Sequence, residues 1–178
     1  DNTVATLLGT TTLGAAPCDP AGPTIRRLPV SEQVSRVVVR FAGDSGDGMQ
    51  LTGGRFGADA ARQGNDIVTL PDYPAEIRAP QGSLGGVSSF QVHFADFDIF
   101  TPGDDLDVLV AMNPAALKVH LPALRRGGVL ITDTAEFTRR NLAHAGYEQN
   151  PLTNASLEPW QVVDLDLTAI TAEAVKDF

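Results

Sequence analysis

The chain has 178 residues, 43% of them hydrophobic, and sets 13 Lys and Arg against 22 Asp and Glu for a formal net charge of −9. That length suits one domain plus a tail, and a domain of about 150 residues buries roughly 70% of its unfolded surface, enough to fold without a disulfide or metal staple. The acidic balance excludes non-specific nucleic-acid binding and an anionic membrane surface, no apolar run reaches a bilayer span, and one cysteine, Cys18, cannot hold an iron–sulfur cluster or a structural zinc.

Residues 1–33 read as a disordered or extended arm: Thr, Gly, Ala and Pro dominate, and Pro17, Pro20, Pro23 and Pro29 block both helix and central-strand pairing. No basic stretch precedes an apolar segment at the start, so the cytoplasm is the expected compartment. From residue 34 the pattern changes to alternating strands and helices. Residues 36–41 form a β-branched strand, and a helix is expected over 49–63, with Leu51, Phe56, Ala60 and Gln63 at helical spacing and Gly53 and Gly57 on an adjacent stripe. Each glycine costs a helix roughly 1 kcal/mol against alanine, a cost that close approach to a sheet would offset. Gly64 then stops the helix.

A short strand over 66–70 leads into a proline-rich loop, 71–86, and then a well-alternating strand, 87–95, with Phe90, Val92 and Phe94 on one face. Residues 107–112 read as a near-continuous apolar strand from the centre of a parallel sheet. Asn113 is placed to cap a helix with Pro114 at its first position, running to about Arg126, where Gly127 and Gly128 stop it and Pro122 bends it. A strand over 129–132, a helix over 134–144, a strand over 161–165 and a final helix capped by Thr168 complete the order. The last helix lacks a stop signal and the chain does not begin with Met, so a segment of a longer polypeptide is expected. The fold class is α/β, a Rossmann-like three-layer sandwich with a mostly parallel sheet.

The glycine-dense turn after the first strand, Gly43-Asp44-Ser45-Gly46-Asp47-Gly48, stands where a dinucleotide fold seats pyrophosphate on a helix N-terminus. Its spacing is G-x-x-G-x-G rather than G-x-G-x-x-G, and two unit charges about 4 Å apart repel by about 4 kcal/mol at an effective dielectric of 20. Asp44 and Asp47 therefore oppose a phosphate, and the second strand is followed by Asp72 only past a proline, with no other acid at its end to bind a ribose. The turn reads instead as a structural turn capped by aspartate or as an interface loop. A stand-alone nucleotide-binding module remains the alternative. In the long loop, Glu76 and Arg78 form either a solvated ion pair or part of an anion-binding or interface loop. Asn113 lies at the C-terminal end of a central strand, where open α/β sheets bind ligands, although capping explains it as well. His93, His120 and His144 lie far apart and read as surface or half-buried residues, and no local set joins a nucleophile, a base and an orienting group. No catalytic or metal-binding residue is assigned.

Four blocks together are more telling than any one: RFAGDSGDGMQLTG at 40–53, YPAEIRAPQG at 73–82, GVSSFQVHFA at 86–95 and DVLVAMNPAAL at 107–117. They resemble the gamma domain of 2-oxoacid:ferredoxin oxidoreductases, in the form fused to the N-terminus of an alpha subunit, and the resemblance covers about residue 37 to the end. It implies an enzyme that converts a 2-oxoacid, 2-oxoglutarate by preference, with CoA and oxidised ferredoxin into acyl-CoA, CO2 and reduced ferredoxin. It also implies that thiamine diphosphate, Mg²⁺ and a [4Fe–4S] cluster are held by alpha and beta portions, so that this segment holds no cofactor and is inert alone. The gamma domain would pack over that core and help enclose CoA, with Gly43 to Gly48, Glu76, Arg78 and Asn113 as the candidate CoA or interface contacts.

Overall fold

A computed structural model describes residues 34–76 and 79–176. The expected N-terminal arm and Arg78 lie outside the described residues. Six strands form one sheet: β1 Arg36–Asp44, β2 Asp66–Asp72, β3 Val87–Ala95, β4 Leu106–Ala111, β5 Leu124–Asp133 and β6 Gln161–Leu165, in the order β2-β3-β1-β4-β5-β6. β1, β4, β5 and β6 pair in parallel, whereas β3 runs antiparallel to both β1 and β2. The helices are α1 Met49–Arg62, α2 Pro114–His120, α3 Arg139–His144 and α4 Leu167–Ala174. The expected α/β architecture with a mostly parallel sheet is thus present. No helix among the described residues is long and apolar enough to cross a membrane.

Alternation along β1 divides the core. Val37 and Val39 join Val92, Phe94 and Ala60 beneath α1, with Phe41, Phe56 and Phe90 packed at the margin. Val38 and Ala42 face the other way, into a larger cluster with Leu109, Leu117, Leu130, Phe137 and Leu157 beneath α2 and α3. The glycine stripe of α1 faces the sheet as its small residues require: a Cβ on Gly53 would lie 2.3 Å from the Phe90 ring. Leu51, expected in the core, is instead 63% exposed, and Met49, Gly53, Gly57 and Ala60 are the buried set. The glycines bring the helix so close that their own stripe, one turn position away from Leu51, becomes the contact face.

Several boundaries differ from the sequence expectation. β1 continues through Gly43 and Asp44, so only residues 45–47 turn. β2 continues through Pro71 to Asp72, which an edge strand tolerates because its outer donors need no partner. α2 stops at His120, not near Arg126; a single 3₁₀ turn, Leu121–Ala123, carries Pro122, and β5 already begins at Leu124. Pro122 cannot supply the N–H that a continuing helix needs. Gly127 and Gly128 do not stop a helix: they lie in a bulge of β5, where Gly127 has φ +78 and a Cβ on Gly128 would meet Leu124, the Arg125 carbonyl and the Asp107 carbonyl. The expected helix over 134–144 is a 3₁₀ turn, Thr134–Glu136, followed by α3, which Thr138 caps. Asp166 rather than Thr168 caps α4, its carboxylate accepting the Ala169 N–H at 2.8 Å.

Candidate functional site

The C-terminal ends of β1, β4 and β5 meet at a cavity of about 380 Å³. Asp44 organises it. Buried to 7% exposure at the end of β1, its carboxylate accepts the Gly82 N–H at 2.7 Å and the Asn113 Nδ2 at 3.0 Å. The Asn113 Oδ1 in turn accepts the Ala116 N–H at 2.8 Å, capping α2 above Pro114. One carboxylate thereby fixes a strand end, a loop and a helix start. Gly82 has φ +76, a backbone that an L side chain rarely adopts, which lets the loop turn its N–H toward Asp44.

Asp47 does not cap α1. Its Oδ2 folds back to accept the Asp44 N–H at 2.8 Å, and Gly48, in the left-handed region with φ 75, precedes α1 at the cap position without a side-chain cap. Burial raises the Asp47 pKa above the ordinary carboxylate range; the bond from the Asp44 N–H lowers it and the Asp44 charge raises it further. Gly43 backs the turn, since a Cβ there would lie 2.8 Å from Asp47 Oδ2 and 3.2 Å from Met112.

Across the cavity, Asp133 accepts the N–H groups of Ala135 and Leu167, both at 3.2 Å, and Glu136 accepts Asn141 Nδ2 at 2.9 Å. His144 Nδ1 lies 3.3 Å from the Gln81 carbonyl, so α3 closes over the loop that Asp44 holds. Arg140, Met112 and Gln81 complete the wall.

Of the sequence candidates, the cavity gathers Asp44, Asp47 and Asn113, with Gly43 behind them. Ser45, Gly46 and Gly48 form its exposed approach without lining it. Glu76 lies apart, its N–H donating to the Gly85 carbonyl and its carboxylate 3.3 Å from where a Cβ on Gly85 would stand. Asp133, Glu136, Arg140, Asn141 and His144 were not singled out for this site. Of these, Asp133 alone carries a local signal, its position at the end of a parallel strand.

The histidines need a correction. His144 is exposed, but His93 and His120 are buried, at 3% and 6% exposure. The Arg40 Nη1 donates to His120 Nδ1 at 3.0 Å, and its Nε donates to Gln91 Oε1 at 3.1 Å. Because a guanidinium cannot accept, the His120 proton sits on Nε2, which is buried without a partner among the described residues. Burial first, and then the charge of Arg40, push the His120 pKa down to about 4 against the opposing pull of Asp72.

Four carboxylates and one guanidinium line the cavity, and no Ser, Thr, Cys or Lys does. It therefore offers no hydroxyl, thiol or amine nucleophile, and its acids make an unwelcoming field for phosphate. Asp44 and Asp133 are committed to backbone N–H groups, and no cluster of His, Cys, Asp and Glu among the described residues could hold a metal ion. Among these charged groups the cavity also presents the amide side chains of Gln81, Asn113 and Asn141.

The family of pyruvate ferredoxin/flavodoxin oxidoreductases matches residues 38–177. The chain belongs to this family. Subunit KorA of the Mycobacterium tuberculosis 2-oxoglutarate oxidoreductase is 55% identical over 148 residues, which are 83% of this chain and 23% of KorA. The chain thus spans less than a quarter of that relative. Two solved structures share the fold: a 2-oxoglutarate:ferredoxin oxidoreductase from Magnetococcus marinus with 2-oxoglutarate, coenzyme A and succinyl-CoA bound (TM-score 0.61, 24% identity, 80% of this chain and 22% of that one), and the gamma subunit of a keto/oxoacid ferredoxin oxidoreductase from Geobacter sulfurreducens (TM-score 0.55, 22% identity, 80% of this chain and 67% of that one).

Proposed function

We propose that residues 34–178 form the gamma domain of a cytoplasmic 2-oxoacid:ferredoxin oxidoreductase that converts 2-oxoglutarate, CoA and oxidised ferredoxin into succinyl-CoA, CO2 and reduced ferredoxin. The 55% identity to KorA carries this reading. The chain's own residues do not fit thiamine diphosphate or an iron–sulfur cluster: it has one cysteine, and the turn that would face a diphosphate carries two aspartates. Those groups belong to the alpha and beta portions, and this domain binds and shapes rather than reacts.

Within that role, the strand-end cavity helps enclose CoA. Its acids oppose the phosphates, whereas Gln81, Asn141 and the backbone of the 79–86 loop suit the amides and hydroxyl of the pantetheine arm. In the complete enzyme, Arg140→Gln and Asn141→Ala are expected to raise the apparent KM for CoA several-fold with kcat nearly unchanged, the pattern of lost uniform binding. An unchanged KM in steady-state assays with varied CoA removes the cavity from the CoA site. Titration with NADH, NADPH or FAD tests the alternative of a stand-alone nucleotide-binding module, and micromolar binding would favour it.

A further inference from the structure

Pro80, Gln81, Gly82 and Ser83 form a β-turn closed by the Ser83 N–H on the Pro80 carbonyl at 3.1 Å. Gly82 stands third in it with φ +76, behind a residue that carries a side chain, and a positive φ there is the mark of a type II turn. Types I and II share their ends and differ by a half-turn of the central peptide, here the Gln81 carbonyl and the Gly82 N–H. That peptide is gripped on both sides. Its N–H donates to the Asp44 carboxylate at 2.7 Å, and its carbonyl lies 3.3 Å from His144 Nδ1. A half-turn would aim the carbonyl at Asp44, which can only accept, and would strip the buried Gly82 of the partner for its N–H. The Gln81 side chain, which lines the cavity, is carried on this peptide.

We propose that Asp44 is a positioning residue for CoA: it holds the Gln81–Gly82 peptide in its type II orientation and thereby sets the Gln81 side chain in the cavity. The CoA part rests on the proposed function; the grip on the peptide does not. Charge alone argues against a carboxylate here, because it repels a ligand that carries phosphates. The hydrogen bonds explain its presence. Gly82 N–H and Asn113 Nδ2 donate to separate oxygens of Asp44, and the Asn113 oxygen is occupied by the Ala116 N–H. An asparagine at position 44 that still accepts from Gly82 sets its amide nitrogen against the Asn113 amide nitrogen, donor against donor. Asp44→Asn therefore loses one of the three bonds. The exchange of Asp44→Asn together with Asn113→Asp keeps all three and leaves the net charge unchanged, since the carboxylate at position 113 accepts from both the amide at 44 and the Ala116 N–H.

The test uses the intact oxidoreductase. Asp44→Asn is expected to raise the apparent KM for CoA several-fold with kcat nearly unchanged, and to speed amide hydrogen exchange across residues 79–86. The double variant with Asn113→Asp should restore both. Gly82→Ala leaves every charge in place, and its Cβ would meet only ordinary contacts from 3.8 Å outward, so the positive φ alone opposes it. It too should raise the KM for CoA. A fall in KM in Asp44→Asn means that the carboxylate acts only by repelling CoA, and it overturns the proposal. Unchanged exchange across 79–86, or a double variant no better than the single one, also overturns it. Where exchange speeds up and KM does not move, Arg140→Gln separates the two readings. A raised KM in Arg140→Gln keeps CoA in the cavity and overturns the positioning role alone, whereas an unchanged KM removes CoA from the cavity and the positioning role with it.

Discussion

His120 is neutral where an exposed histidine would begin to charge, and its pKa of about 4 against the ordinary 6.5 makes stability depend on pH. Above pH 6.5 the folded and unfolded states bind the same protons at this residue and the contribution is constant. As pH falls from 6.5 toward 4 the unfolded chain binds a proton that the folded state resists, so stability falls across that window. Thermal unfolding followed between pH 7 and pH 4 is expected to show a declining Tm, and His120→Gln should flatten the part of that decline that His120 causes. A second residue-scale prediction concerns Gly53. In a free helix, Gly53→Ala would gain roughly 1 kcal/mol. Here the added Cβ meets the Phe90 ring at 2.3 Å, and overpacking of about 1–3 kcal/mol wins, so the urea midpoint should fall.

At the scale of elements, Asn113 joins α2 to β1 and to the 79–86 loop through Asp44. Asn113→Ala is expected to cost about 1–2 kcal/mol for the lost cap, with a further penalty for the half-satisfied buried Asp44. A double-mutant cycle with Asp44→Asn, read by denaturant unfolding, should show coupling between the two positions. These contacts also mark how far the sequence could be read. The glycine turn, the Asn113-Pro114 cap and the strands 87–95 and 161–165 were legible because short-range spacing determines them. The end of α2 was not, since Arg125 and Arg126 suit a helix as well as a strand and only the pairing of Leu124 and Val129 with β4 on either side of them decides. The cavity was half legible. Asp44, Asp47 and Asn113 belong to local motifs, whereas Arg140 and His144 reach it because α3 returns across the sheet to the 79–86 loop, a long-range contact with no signature in the chain. Burial of His93 and His120 was missed for the same reason: their partners Thr101 and Arg40 are set by strand pairing and by the loop after β3.

For the whole molecule, the edges of the sheet are unequal. β2 ends one side with Pro71 inside the strand, and β6, five residues long, ends the other. Pro71 leaves a gap in the row of donors that a foreign strand would need, and a short strand gives little length to pair with. Growth of the sheet from chain to chain is therefore disfavoured at both ends, although the half-buried valines and isoleucine of β4 to β6 are the kind of residues from which fibrils are built. Pro71 thus acts as a guard on one edge of the sheet, interrupting edge-to-edge pairing while leaving the faces of the sheet unaffected.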